Sequence, residues 1–335
     1  MSINVGKGGA MRMRLETRTA AALAIMAMLG LSSMAACSKI GELKGKMTFK
    51  DANEAYQAKN YVKAAQLYEE TLQNNPDLTQ VYFFLGNSYD NQYKPGVKTA
   101  ENDQMLTKAV QNYTLAADKL TTDKPDDAKL KMLALQYLAA VYGADKADDP
   151  GKAEPVIQRM IQMDPGNPDN YVALARIYED AGFYPEAEQM LLKAKEVKPS
   201  DSGVYMQLAG FYKNQDQFDK TIDALEQRAK LEPNNPEAFY MISTYYWDNA
   251  QHNVALKDAE KRDSVEKGLA AVDKALQIRP DYMEAMVYKG LLLRTQAPLE
   301  KDPAKQQALL KEADQLHDKA EDLRKKKAAG VGPSN

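Results

Sequence analysis

The sequence predicts an all-α protein made of repeated antiparallel helix pairs, and three observations point to it. Pro165, Pro199 and Pro233 fall 34 residues apart. Between them one order of residues returns: Tyr171, Leu174, Ala175 and Tyr178, then Gly182, Tyr184, Ala187, Leu191 and Ala194. The next period repeats it as Tyr205, Leu208, Ala209 and Tyr212, then Phe218 and Leu225. A proline cannot continue a helix, so each unit closes at its own. A unit of this size cannot bury its apolar face alone, so successive units must stack into an array.

Composition narrows the function classes. The 335 residues carry a formal net charge of only −3, which argues against nucleic acid as an obligate partner. One Cys cannot form an internal disulfide, and with two His it cannot supply a Cys/His zinc site. Tyrosine dominates the aromatic content, with 19 Tyr against one Trp. In a thin two-layer array a Tyr can bury its ring while its hydroxyl stays wet or bonded.

The elements follow in chain order. Arg12, Arg14 and Arg18 precede a run of Ala, Leu, Met, Ile, Gly and Ser over residues 20–36. A basic segment before a short apolar one is the pattern of an export signal. The run falls short of the roughly 20 clearly apolar residues that a permanent bilayer anchor requires, which leaves such an anchor as the competing reading. Residues 1–10 fit neither signal nor fold, and Met11 or Met13 is an alternative start. The signal ends in Ser33-Met34-Ala35-Ala36-Cys37. This resembles the lipobox of bacterial lipoproteins, which implies cleavage before Cys37, lipid on its sulfur, and residues 37–46 as a tether. Ser38, where an Asp would signal inner-membrane retention in that family, implies the outer membrane, facing the periplasm. Ordinary cleavage to a soluble periplasmic protein and a cytoplasmic chain with no signal are the alternatives.

The array is expected over 47–327. Its first unit keeps Ala64, Tyr68, Leu72 and Pro76 but has a weak first helix. The second has Tyr82, Leu85 and Gly86, an insertion over 95–105, then Ala109, Tyr113 and Ala116. The third runs from Leu135 through Tyr142 and Ala153, with a long turn at Asp148-Asp149-Pro150-Gly151. The fourth and fifth are the strict repeats. The sixth, from Phe239 to Tyr246, is interrupted by a charged stretch over 252–264 before Gly268, Val272 and Ala275. A seventh first helix holds Met286 and Gly290. A last helix over 303–327 caps the array, and a disordered tail is expected over 328–335. Small residues such as Gly86, Ala175 and Ala209 let paired helices approach, while Tyr89, Tyr142, Tyr178, Tyr212 and Tyr246 fill the larger gaps.

This period and these residue types resemble the tetratricopeptide repeat (TPR) family over nearly all of 47–327. The resemblance implies a right-handed superhelical solenoid of about seven helix pairs, acting as a non-enzymatic protein-interaction scaffold. With the signal segment it implies a membrane-anchored envelope lipoprotein that aids assembly of an envelope complex. In TPR proteins the first helices line a concave groove that takes a protein or peptide. The positions matching that groove are Phe83, Asn87 and Asn91 in the second unit and Arg176 and Glu179 in the fourth. The fifth supplies Met206, Lys213 and Asn214, and the sixth Tyr240, Thr244 and Trp247. Arg176 and Lys213 are too few for the basic clamp by which chaperone-binding members hold a C-terminal carboxylate.

Other candidate chemistry has simpler accounts. His252 and His317 have no nucleophile to serve and are expected at the surface. The pairs Asp126-Asp127 and Asp148-Asp149 sit beside Pro or Gly in turns, where Asp is locally favoured, without EF-hand spacing. No Gly-rich phosphate loop or G-x-S-x-G elbow is present. Arg324 and Lys325 to Lys327 complement a helix C-terminus. No catalytic residue, cofactor or metal is expected.

Overall fold

Asn and Asp side chains start many of these helices. Those of Asn167, Asp201, Asn235 and Asp302 each accept from a backbone N–H two residues on, and a proline at the first helical position follows three of them. The structure, a computed structural model, describes residues 39–143 and 145–330. Cys37 and the expected signal over 1–36 lie outside the described residues, as do residues 331–335 of the expected tail. Among the described residues every regular element is helical.

Two compact units divide the chain, one ending at Met163 and the other starting at Asp164. The first holds α1 (39–57), α2 (Tyr61–Asn74), α3 (Val81–Asp90), α4 (Ala100–Lys119), α5 (Pro125–Tyr142) and α6 (Pro150–Met163). The second holds α7 (Pro168–Asp180), α8 (Tyr184–Val197), α9 (Ser202–Asn214) and α10 (Phe218–Leu231). It continues with α11 (Pro236–His252), α12 (Asp258–Ile278), α13 (Met283–Gln296), a 3₁₀ turn (Ala297–Leu299) and α14 (Pro303–Ala328). Among the described residues these helices pair as consecutive antiparallel hairpins of the TPR kind, three in the first unit and four in the second. Successive first helices also touch, α3 on α5, α7 on α9 and α11 on α13, so each unit has a face made of first helices alone.

Three short hairpin turns, between α1 and α2, α7 and α8, and α9 and α10, share one backbone device. Asn60, Phe183 and Gln217 each donate an N–H to the carbonyl five residues back, on Ala55, Tyr178 and Tyr212. The residue before each donor is left-handed: Lys59 at φ 57°, Gly182 at φ 78° and Asp216 at φ 54°. This is the Schellman closure that ends a helix and sends the chain back along it. Tyrosines tie the loops between pairs in the same repeating way. Tyr171 donates its hydroxyl to the carbonyl of Pro165 at 3.0 Å, and Tyr205 to that of Pro199 at 2.9 Å.

Close approach depends on small residues. A Cβ on Gly86 would lie 2.9 Å from the ring of Tyr113, so α3 rests directly on that ring. The first helix corrects an expectation. Residues 39–46, expected as a tether, are the helical start of α1, and Gly45 lies against Asn75 at the C-terminal cap of α2. Its buried stripe includes Gly45, Thr48, Ala52 and Ala55, at helical spacing but almost without hydrophobic bulk. Such a stripe gives a weak apolar signal in the sequence although it suits close packing.

The insertions lengthen helices and loops. Within 95–105 the loop gives way to α4 at Ala100. The loop is clipped by buried Asn102, whose side chain accepts from the Lys94 N–H and donates to the carbonyls of Lys94 and Val97. In the sixth pair, α11 runs on to His252 and α12 starts at Asp258, so most of 252–264 is helix.

Candidate protein-interaction site

The expected groove residues divide between the two units. In the first unit, Phe83 and Asn87 are core residues, only 6% and 4% exposed, which corrects their expected place on an open groove. The Phe83 ring packs against Tyr113 at 6.1 Å and Tyr137 at 5.8 Å, so α4 and α5 cover it. The Asn87 side-chain oxygen accepts from the Tyr56 hydroxyl at 2.6 Å and from the Asn91 amide at 2.8 Å. Asn91 is exposed, but its amide is engaged there.

In the second unit, Arg176 is exposed on α7 with Asp180 at 3.9 Å. Glu179 accepts from the Asn214 amide at 3.0 Å, a cross-link between α7 and α9. Met206 is half-buried, and its sulfur takes the Arg228 guanidinium at 3.4 Å. Lys213 is exposed with its ammonium 5.7 Å from the centre of the Tyr245 ring. The Thr244 hydroxyl donates to the Met241 carbonyl of its own helix.

Tyr240 and Trp247, one above the other on α11, meet Tyr288 of α13. Their ring centres lie 5.4 and 5.5 Å from that of Tyr288, both edge to face. Such contacts align a ring's positive edge with its neighbour's negative face. All three rings are half-buried, so the cluster is packed yet open to solvent. Tyr282 supports it from below, 5.2 Å from Tyr240, with the Arg279 guanidinium 3.5 Å over its own ring and its hydroxyl bonded to Glu237. His252, expected simply at the surface, is exposed but also stands edge-on to Trp247 at 5.6 Å.

The electrostatics of the patch are acidic at the rim. Burial, with Tyr288 and the carboxylates of Glu237 and Glu284 adding to it, pushes the Tyr240 hydroxyl up to about 12. Asp248 bonds His252 at 2.9 Å beside the Trp. Exposed aromatic faces with nearby carboxylates suit an apolar or cationic side chain, by packing and by cation–π attraction. The sequence pattern pointed to Tyr240 and Trp247 but not to Tyr288, which lies off the groove positions of its repeat. The signal available for it was a large aromatic two residues before the close-packed Gly290. Among the described residues no group of His, Cys, Asp and Glu is placed to hold a metal ion, and no helix is long and apolar enough to cross a membrane.

A tetratricopeptide repeat family pattern matches residues 146–209. No curated protein matches the sequence. Among solved structures, the C-terminal part of a TPR repeat-containing protein from Cytophaga hutchinsonii is similar at 15% identity. It matches over 82% of this chain and 98% of its own, with a TM-score of 0.56. A tetratricopeptide repeat protein from Parabacteroides merdae is similar at 14% identity, over 81% of this chain and 98% of its own, with a TM-score of 0.45. YrrB, described as a TPR protein with an unusual peptide-binding site, is similar at 15% identity, over 58% of this chain and 89% of its own, with a TM-score of 0.39. The helix pairs, their turns and the matched repeats together identify the fold of this chain as that of a TPR protein.

Proposed function

We propose that this TPR protein is a non-enzymatic interaction scaffold that grips a protein or peptide segment at the aromatic patch of Tyr240, Trp247 and Tyr288. One observation carries the proposal: three large rings from two successive first helices converge yet stay half exposed. Large aromatics in that state are the usual energetic centres of protein interfaces. The acidic rim favours a partner segment presenting Lys or Arg beside an apolar residue.

In the same proposal the chain is held at a bacterial outer membrane, facing the periplasm, by lipid on Cys37, and assists assembly of an envelope complex. The support is the sequence alone: the single cysteine of the chain stands at the end of an apolar run after small residues.

Affinity purification from solubilised envelopes tests the site. Trp247→Ala with Tyr288→Ala should lose a partner that the wild-type chain retains, while circular dichroism stays helical. Retention of every partner would remove the patch from the proposal. Mass spectrometry of the native N-terminus, with fractionation of Cys37→Ala, tests the anchor. A diacylglyceryl cysteine and release of the variant from membranes are expected. A clipped free cysteine, or an intact Met1 or Met11, would overturn it.

A further inference from the structure

A second surface lies on a different face of α11. Residues of α10, α11 and α12 line two adjoining cavities of about 610 and 700 Å³, which share Tyr246 and Lys267. Their floor is α11, through Phe239, Ile242, Tyr246 and Asn249 at the spacing of one helical face, continued by Asn253 at its C-terminal cap. One wall is α10, through Asp219, Ile222, Glu226 and Ala229, with Pro233 just past its C-terminal end. The other is α12, through Glu260, Asp263, Lys267, Ala271 and Lys274. The walls run parallel to each other and antiparallel to the floor, since numbers rise along both walls as they fall along α11. From Glu260 to Lys274 the α12 wall is about 21 Å long at 1.5 Å per residue, the length of about four helical turns.

The cleft is apolar along half its floor and charged by halves above. The floor is aliphatic and aromatic at Phe239, Ile242 and Tyr246 and polar at Asn249 and Asn253, and Ala229, Ala270 and Ala271 keep the walls low toward their C-terminal end. At the C-terminal end of the walls stand Lys230, Lys267 and Lys274 against a single acid, Glu226. At the N-terminal end stand Asp219, Glu260 and Asp263, of which Asp263 pairs with Lys267 at 2.8 Å. Part of that polarity complements the wall helices' own dipoles, but the field it sets up over the cleft is the same whatever its origin.

We propose that this cleft docks one amphipathic helix of a partner protein, lying antiparallel to α10 and α12. Such a helix has acidic residues in its first turn and basic residues in its last, which is the ordinary helix pattern. Antiparallel docking sets its acidic turn against Lys230 and Lys274 and its basic turn against Asp219 and Glu260. Its small apolar face at i, i+3, i+4 and i+7 covers Phe239, Ile242 and Tyr246. Parallel docking would oppose like charges at both ends.

The test is selection of helical peptides from a displayed library on the full chain, followed by fluorescence anisotropy with the selected peptides. Enriched sequences should be acidic at the N-terminus and basic at the C-terminus. Ala270→Arg, at an exposed position on the wall, should weaken their binding by at least about tenfold, as should Lys230→Glu with Lys274→Glu. Trp247→Ala should leave it unchanged, which separates this cleft from the aromatic patch. A photoreactive group on the peptide N-terminus should label the α12 end near Lys274. Absence of any enriched helix, the reverse charge order, labelling near Glu260, or indifference to Ala270→Arg would each overturn the proposal. So would concentration-dependent dimerisation abolished by Ala270→Arg, which would make the occupant a second copy.

Discussion

The hydroxyl of Tyr56 on α1 donates to the side-chain oxygen of Asn87 on α3 at 2.6 Å, joining two successive first helices through a pair of polar groups. Asn87 is buried and Tyr56 half-buried, and desolvation raises the Tyr56 hydroxyl above its ordinary value. The bond therefore belongs to the packing of the first unit.

Asn87→Ala should cost about 1–3 kcal/mol, because the Tyr56 hydroxyl is left without its acceptor. Tyr56→Phe should cost less, about 0.5–1.5 kcal/mol, since Asn87 keeps the Asn91 amide as donor. Urea unfolding of both variants and the double variant checks this. Purely additive losses would mean that the pair is not coupled.

Asp216→Gly should stabilise the chain by about 1 kcal/mol, the order of the left-handed cost for a residue with a Cβ. Its φ of 54° closes the same turn that Gly182 closes without strain, and Lys59→Gly should act likewise. A rise in melting temperature is the readout. An unchanged or lower value would show that the Asp216 side chain offsets the strain.

Two glycines in helices should respond in opposite directions. A Cβ on Gly268 of α12 would meet Leu292 at 2.8 Å and the Cβ of Tyr246 at 3.1 Å. Gly268→Ala should therefore lose about 1 kcal/mol, overpacking outweighing the gain in helix propensity. Gly210 of α9 has nothing within 4 Å of the same position, so Gly210→Ala should gain about 0.5–1 kcal/mol. Opposite shifts in urea midpoint confirm the pair, and a gain at both positions would contradict the close packing at Gly268.

Stability should fall on the alkaline side. Burial holds the hydroxyls of Tyr68 and Tyr113 well above the ordinary tyrosine value. It does the same for Tyr212 and Tyr282, with bonded Glu188 and Glu237 adding to the shift. The unfolded chain releases these protons near pH 10, whereas the folded chain keeps them. The stabilisation is thus complete below about pH 10 and lost as pH rises toward the folded values. Tyrosinate absorbance should include a class that ionises only with loss of helical circular dichroism. Smooth titration of every tyrosine in a folded chain would disprove this.

What the sequence showed depended on bulk and period. The pairs around Pro165, Pro199 and Pro233 were legible because Tyr, Leu and Pro recur at fixed spacing in the strict repeats. The N-terminal part of α1 was not, because Gly45, Thr48, Ala52 and Ala55 pack by being small. Asn87 was placed on the groove because its repeat position faces that way, while the Tyr56 that covers it belongs to the preceding pair. The left-handed turns at Lys59 and Asp216 lacked the glycine that marks the one at Gly182. Within the patch, Tyr240 and Trp247 followed from register, and Tyr288 emerged only from the contact of α11 with α13.

Trp247 gives the patch its own reporter, since it is the one tryptophan of the chain. Its ring is half-buried against Tyr288, so a segment that covers it should shift its emission to shorter wavelength and shield it from a soluble quencher. Tyr288→Ala removes one wall of the cluster and should weaken partner binding by about 10- to 100-fold, the range of a moderate to strong interface anchor. Tyr288→Phe should bind nearly as the wild type, because the edge-to-face contacts need the ring and not the hydroxyl. Phe and Ala variants that lose affinity equally would point to a hydrogen bond from the Tyr288 hydroxyl. Full partner binding with unaltered Trp emission would move the binding face away from α11 and α13.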